Sequence, residues 1–95
     1  MATFALICTD KPGSLDLRMA TREAHLAYVG GHVQQIRYGG PFLDENGGMN
    51  GSLILIELAD LAAAKAFSAG DPYVVAGLFQ SVDIRAVRPT LSPRL

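Results

Sequence analysis

The chain has 95 residues, enough for one domain around one core and too few for two. Eight Lys and Arg against nine Asp and Glu give a formal net charge of -1, which excludes the positive field that nucleic acid or an anionic membrane would need. The longest apolar stretch, "LILIEL", falls far short of the ~20 residues of a membrane span, and the N-terminus lacks the basic start and apolar run of a signal peptide, so a soluble, unprocessed chain is expected.

In chain order, "TFALIC" (3–8) mixes aromatic and branched residues as a short strand does. It ends on Cys8, the only cysteine, which has no disulfide partner within the chain. That fits a reducing compartment and a cytoplasmic location. A lone strand cysteine is usually a small buried hydrophobe rather than a nucleophile. The first helix has two candidate starts, Ser14 and Thr21, and the Gly30–Gly31 pair marks its end. Thr21 is taken as the cap of the main helix, with 14–19 a looser preceding turn. "IRYGGPF" (36–42) is a weaker strand and "SLILIEL" (52–58) a stronger one, joined as a hairpin by the turn-forming run "DENGGMNG" (44–51). Asp60 can accept from the free amides of "LAAAKAF" and start the second helix, which Gly70 ends where a left-handed residue is commonly wanted. "DPY" at 71–73 has the form of an N-cap followed by proline at the first helical position, and predicts a short helix "PYVVAGL". "SVDIRAV" (81–87) alternates, with Val82, Ile84 and Ala86 on one face and Asp83 and Arg85 on the other. The order strand, helix, strand, strand, helix, strand is the ferredoxin-like βαββαβ plan: an antiparallel four-stranded sheet with both helices on one face.

That plan leaves one face of the sheet uncovered. Yet the third strand is apolar on both sides, Leu53 and Leu55 on one and Ile54, Ile56 and Leu58 on the other. A second copy of the chain, packed sheet to sheet as a homodimer, is the economical cover. The C-terminal segment "RPTLSPRL" folding back over the sheet is the alternative.

The chemistry starts from what is missing. The sequence carries no phosphate-cradling glycine loop, no CxxC pair, no HExxH and no GxSxG elbow. His25 and His32 are the only imidazoles, and two histidines without a third ligand do not make a metal site. Arg22 lies one turn before His25 in "TREAHL" and shares its helix face. Taken alone, Asp71 is an ordinary helix cap, and His25 an ordinary solvated helix residue; topology links the two. In this topology the first helix begins, and the second ends, at the same edge of the sheet. A helix starting at Thr21 would then put His25 in its first turn beside Gly70 and Asp71, whereas a start at Ser14 would carry His25 two turns away. A carboxylate on one ring nitrogen fixes the tautomer and leaves the other nitrogen to move a proton.

"REAHLAYV", "YGGPF", "GSLILIEL" and "DLAAAKAFSAGDPYVVAGLF", in this order and spacing, resemble the YCII (YciI-like) family across nearly the whole chain. The resemblance implies a ferredoxin-like fold that dimerises through its sheets into an α+β barrel, as muconolactone isomerase-like proteins do. It also implies a site centred on histidine and aspartate. The family's R-x-x-H-L falls on Arg22, His25 and Leu26, and its D-P-Y on Asp71, Pro72 and Tyr73. "GGPF" is also similar to the DGPF domain, but Gly39 stands where that family's aspartate would be, so no carboxylate is carried over.

The reading that results is a small-molecule enzyme of the lyase or isomerase type that needs no cofactor. His25 would be its general acid or base, Asp71 would orient His25, Arg22 would hold an anionic or phenolate oxygen, and Tyr73 would line the pocket; Phe42 is the other candidate for the lining, although plain core packing is the preferred reading for it. Its rivals are a non-catalytic module that binds a small ligand or a protein on the same scaffold, and a structural subunit that docks a partner through an exposed edge or loop 44–51.

Overall fold

Ala2–Asp10 (β1), Ile36–Leu43 (β2), Met49–Leu58 (β3) and Phe79–Val87 (β4) form one antiparallel sheet in the order β2-β3-β1-β4, in a computed structural model that describes residues 1–91. Leu15–Gly30 (α1), Leu61–Gly70 (α2) and Pro72–Val75 (α3) complete the ferredoxin-like α+β fold that the element order predicts. None of the described helices is long and apolar enough to cross a membrane.

The two central strands build the core by alternation. Phe4 pairs with Ile56 and Leu6 with Ile54, and all four side chains point to the helical face, where Ala64 and Phe67 of α2 close over them. Burying each large apolar side chain there is worth about 1.5–3 kcal/mol. Val82 and Ile84 of β4 continue the same face beside Cys8 and Leu6. The intervening residues, Ala5 opposite Leu55 and Ile7 opposite Leu53, stand half-buried on the far face, which no described element covers. Residues 88–91 are exposed, while 92–95, the rest of the segment considered as a cover, lie outside the described residues.

Strand β2 departs from strict alternation. Ile36 pairs with Ile56, but Tyr38 pairs with Leu55, so Arg37 is an extra residue in a bulge. Beyond it, Tyr38, Gly40 and Phe42 stand with Leu55, Leu53 and Gly51 on the far face, and Gly39 and Pro41 stand with Ile54 and Ser52 on the helical face. Phe42 packs over Gly51, where an added Cβ would come within 3.0 Å of its ring and 2.5 Å of the Cys8 carbonyl. The hairpin loop is shorter than its composition implies, because Met49, Asn50 and Gly51 join β3. Asp44 Oδ1 accepts from the amides of Asn46 and Gly48, and Gly47 takes the positive φ (83°) that closes the turn.

The first helix begins earlier than the expected cap at Thr21. Ser14 is its N-cap residue, the Arg18 amide donates to the Ser14 carbonyl, and the helix runs unbroken through Thr21. The Thr21 hydroxyl donates back to the Leu17 carbonyl one turn earlier, the alternative open to a threonine inside a helix. Gly70 also differs from expectation, since its φ is not positive. Its lack of a side chain serves packing: a Cβ would meet the Tyr28 hydroxyl at 2.6 Å, just where Tyr28 donates to the Phe67 carbonyl and ties α1 to α2. The helix after Asp71 stops at Val75, shorter than "PYVVAGL", and Gly77 (φ 75°) turns the chain into β4.

Candidate active site

His25 and Asp71 meet although the helix start on which their meeting seemed to depend is the other one. His25 sits in the third turn of α1, not the first. Helix α2, ten residues against sixteen in α1, ends alongside that third turn: Tyr28 reaches Phe67, and His25 reaches Asp71 immediately beyond α2. The residues following α2 also pack directly on α1 as α3. His25 Nδ1 lies 2.8 Å from Asp71 Oδ1, with only 9% of His25 exposed.

The same Asp71 oxygen accepts from the Tyr73 amide at 2.9 Å as the cap of α3. Asp71 is therefore cap and histidine partner at once. An Oδ1 that accepts from both groups fixes the proton of the imidazole on Nδ1 and leaves Nε2 as the open ring nitrogen.

A second buried group adjoins the first, because 15–19 is helix rather than a looser turn. Arg18 Nε donates to Asp10 Oδ2 at 2.7 Å, and its Nη2 donates to Asp10 Oδ1 and Ser52 Oγ at 2.9 Å each. Arg18 is 2% exposed. Burial works against its charge, but the Asp10 carboxylate more than offsets this, and the guanidinium ends above its ordinary pKa. The signal was in the sequence: with the helix starting after Ser14, Arg18, Arg22 and His25 fall at i, i+4 and i+7 on one face.

These residues wall one end of a cavity of about 350 Å³ between α1 and the β2–β3 half of the sheet. The opposite walls are apolar, with Leu26, Val29, Val33, Ile36, Pro41 and Ile54 among them. Arg22 lines the cavity, is exposed, and has no carboxylate partner among the described residues. Tyr73 lines it too, with its hydroxyl kept protonated chiefly by burial, against the opposing pull of Arg18 and Arg22. Phe42 does not, because the bulge in β2 turns it to the far face, where it is neither pocket wall nor core. Cys8 lies under the site, and burial, reinforced by Asp71, pushes its thiol up to about 12, so it is an inert hydrophobe at neutral pH. His32 lies past the helix end, with Nδ1 3.1 Å from the Tyr28 carbonyl and its ring edge-on to Phe67.

The model of the YCII-related domain matches residues 2–88. The chain belongs to the YCII-related family. It is similar to the protein YciI of Escherichia coli O6:H1, 32% identical over 94 aligned residues that cover 86% of this chain and 92% of the relative. A Haemophilus influenzae relative is 34% identical over the same shares. Among solved structures, the YCII-related fold described above is similar to 5-chloro-2-hydroxyhydroquinone dehydrochlorinase (TftG) from Burkholderia phenoliruptrix AC1100, in complex with 2,5-dihydroxybenzoquinone. The TM-score is 0.85 at 31% identity, covering 90% of this chain and 93% of that one.

Proposed function

We propose that the protein is a small-molecule enzyme of the lyase or isomerase type in which His25 moves a proton and Asp71 orients and stabilises it. The observation that carries this reading is the buried His25 Nδ1–Asp71 Oδ1 hydrogen bond at the wall of a cavity, with Nε2 left without a partner among the described residues. Such an imidazole can take a proton and return it, and Asp71 faces the charge that forms meanwhile. The electron pair left on the substrate either expels a leaving group, an elimination, or is reprotonated elsewhere, an isomerisation.

Two features favour a hydroxylated six-membered ring as the substrate class. The cavity has the volume and apolar walls to hold a single ring. Arg18 is neutralised by Asp10, whereas Arg22 is free to meet an anionic or phenolate oxygen. The likeness to a dehydrochlorinase supports loss of HCl from a chlorinated ring as the first reaction to assay. The test is a screen of chlorinated and unchlorinated hydroquinones, followed by His25→Ala on whatever is turned over. Turnover is expected to fall to background while the amide NMR spectrum keeps its folded pattern. Undiminished turnover in the variant would sink the proposal and move the protein to the non-catalytic, ligand-binding class.

The homodimer belongs to the same proposal. Ala5, Ile7, Leu53 and Leu55 form the half-buried centre of the far face, and Tyr38 and Phe42, 60% and 39% exposed, flank it. A second copy packed sheet to sheet would take this apolar face out of water. Sedimentation equilibrium should return the mass of two 10.1 kDa chains. The mass of one chain at micromolar concentration would refute it.

A further inference from the structure

Tyr73 touches His25 in a way that lining a pocket does not require. The centres of the two rings are 4.0 Å apart with their planes inclined by only 16°, and the Arg18 guanidinium carbon lies 4.6 Å over the same tyrosine ring. Arg18 and His25 are two turns apart on α1, about 10 Å along the helix axis. The phenol ring fills the space between them, and guanidinium, phenol and imidazole form one stack. Arg18 is held by Asp10 and Ser52, while Asp71 Oδ1 holds both His25 and, by accepting from its backbone amide, Tyr73, whose ring also meets Phe79 edge-on. At 1% exposure, Tyr73 leaves no room for water between the layers.

We propose that Tyr73 is a positioning residue whose ring face supports the protonated form of His25, and that its hydroxyl is dispensable for this. The inference rests on the reading of His25 as the proton carrier. An aromatic face attracts a cation, and the attraction grows where water is excluded. An imidazolium formed during turnover therefore meets a π face on one side and Asp71 at its Nδ1. Arg18, on the opposite face of the phenol, keeps the ring flat against the imidazole, and its own charge is matched by Asp10. Among the described residues, the other charged and titratable groups around the site are Arg22 and Tyr28 on α1 and Cys8 on β1.

The test is NMR of the histidine rings of the full chain, following the protonation of His25 against pH in Tyr73→Phe and Tyr73→Leu. Tyr73→Phe should protonate at the wild-type pH, since it keeps the face and loses only the hydroxyl. Tyr73→Leu should protonate about one pH unit lower, the size of a desolvated cation–π contact. If Tyr73→Leu does not fold, Tyr73→Met replaces it, as an unbranched side chain that fills space without a π face. An unchanged or raised midpoint in the aliphatic variant, or an equal shift in Tyr73→Phe, would overturn the proposal. No substrate enters this measurement, so its failure is distinct from an active His25→Ala enzyme.

Discussion

Asp71→Asn is expected to leave the fold standing and to lower turnover by about 10²–10⁴-fold, the usual contribution of a positioned acid–base group. Asparagine caps a helix as well as aspartate, so the Tyr73 amide keeps its acceptor and α3 its start. Its carbonyl oxygen can also still accept from His25 Nδ1. What disappears is the negative charge facing the imidazole when it takes a proton. Because a single oxygen, Oδ1, serves both the cap and the histidine, this substitution separates the electrostatic role from the structural one. Asp71→Ala cannot do so, since it removes the cap as well, at a cost of about 1 kcal/mol. The measurement is kcat at saturating substrate beside a urea unfolding curve. A variant that keeps wild-type kcat would reduce Asp71 to a helix cap.

Arg18→Met should destabilise the protein by about 3–5 kcal/mol, because it strands the Asp10 carboxylate without its cation and takes a donor from Ser52. Against the 5–15 kcal/mol typical of a domain, that is a large fraction of the total. The double variant Asp10→Asn with Arg18→Met removes both charges and should recover part of the loss. The urea midpoints of the two variants decide it. A single variant within about 1 kcal/mol of wild type would mean that the pair contributes no more than one at the surface.

Much of the fold was legible because its signals are local and agree with one another. The alternation of β4, the double apolar face of β3, the Asp60 cap and the Gly-rich hairpin loop each point to one structure, and together they fix the order of elements. The α1 start was misread because Ser14 and Thr21 are both competent caps, and only packing shows that the Thr21 hydroxyl turns back to Leu17. That error hid Arg18. It also made the His25–Asp71 contact seem to depend on a short first helix, when it depends on a short second one, a matter of relative length that no local motif records. Gly70 was identified as the end of its helix for the wrong reason, since what it accommodates is Tyr28, 42 positions earlier in the chain (70 − 28). Residues far apart in sequence supply most of what the local reading lacked: Asp10, Arg18 and Ser52 come from three elements and share no motif.

The bulge at Arg37 bears on how this cavity can change over evolutionary time. Had β2 kept strict alternation from Ile36, Tyr38 and Phe42 would point at α1 and two aromatic rings would occupy the space that Gly39 and Pro41 leave empty. The room for a ligand is thus encoded partly in the phase of a strand. Point substitutions along β2 can trim that room. Insertion or loss of a single codon near the bulge could close it or turn it inside out, exchanging the lining of the cavity for the far face of the sheet in one step.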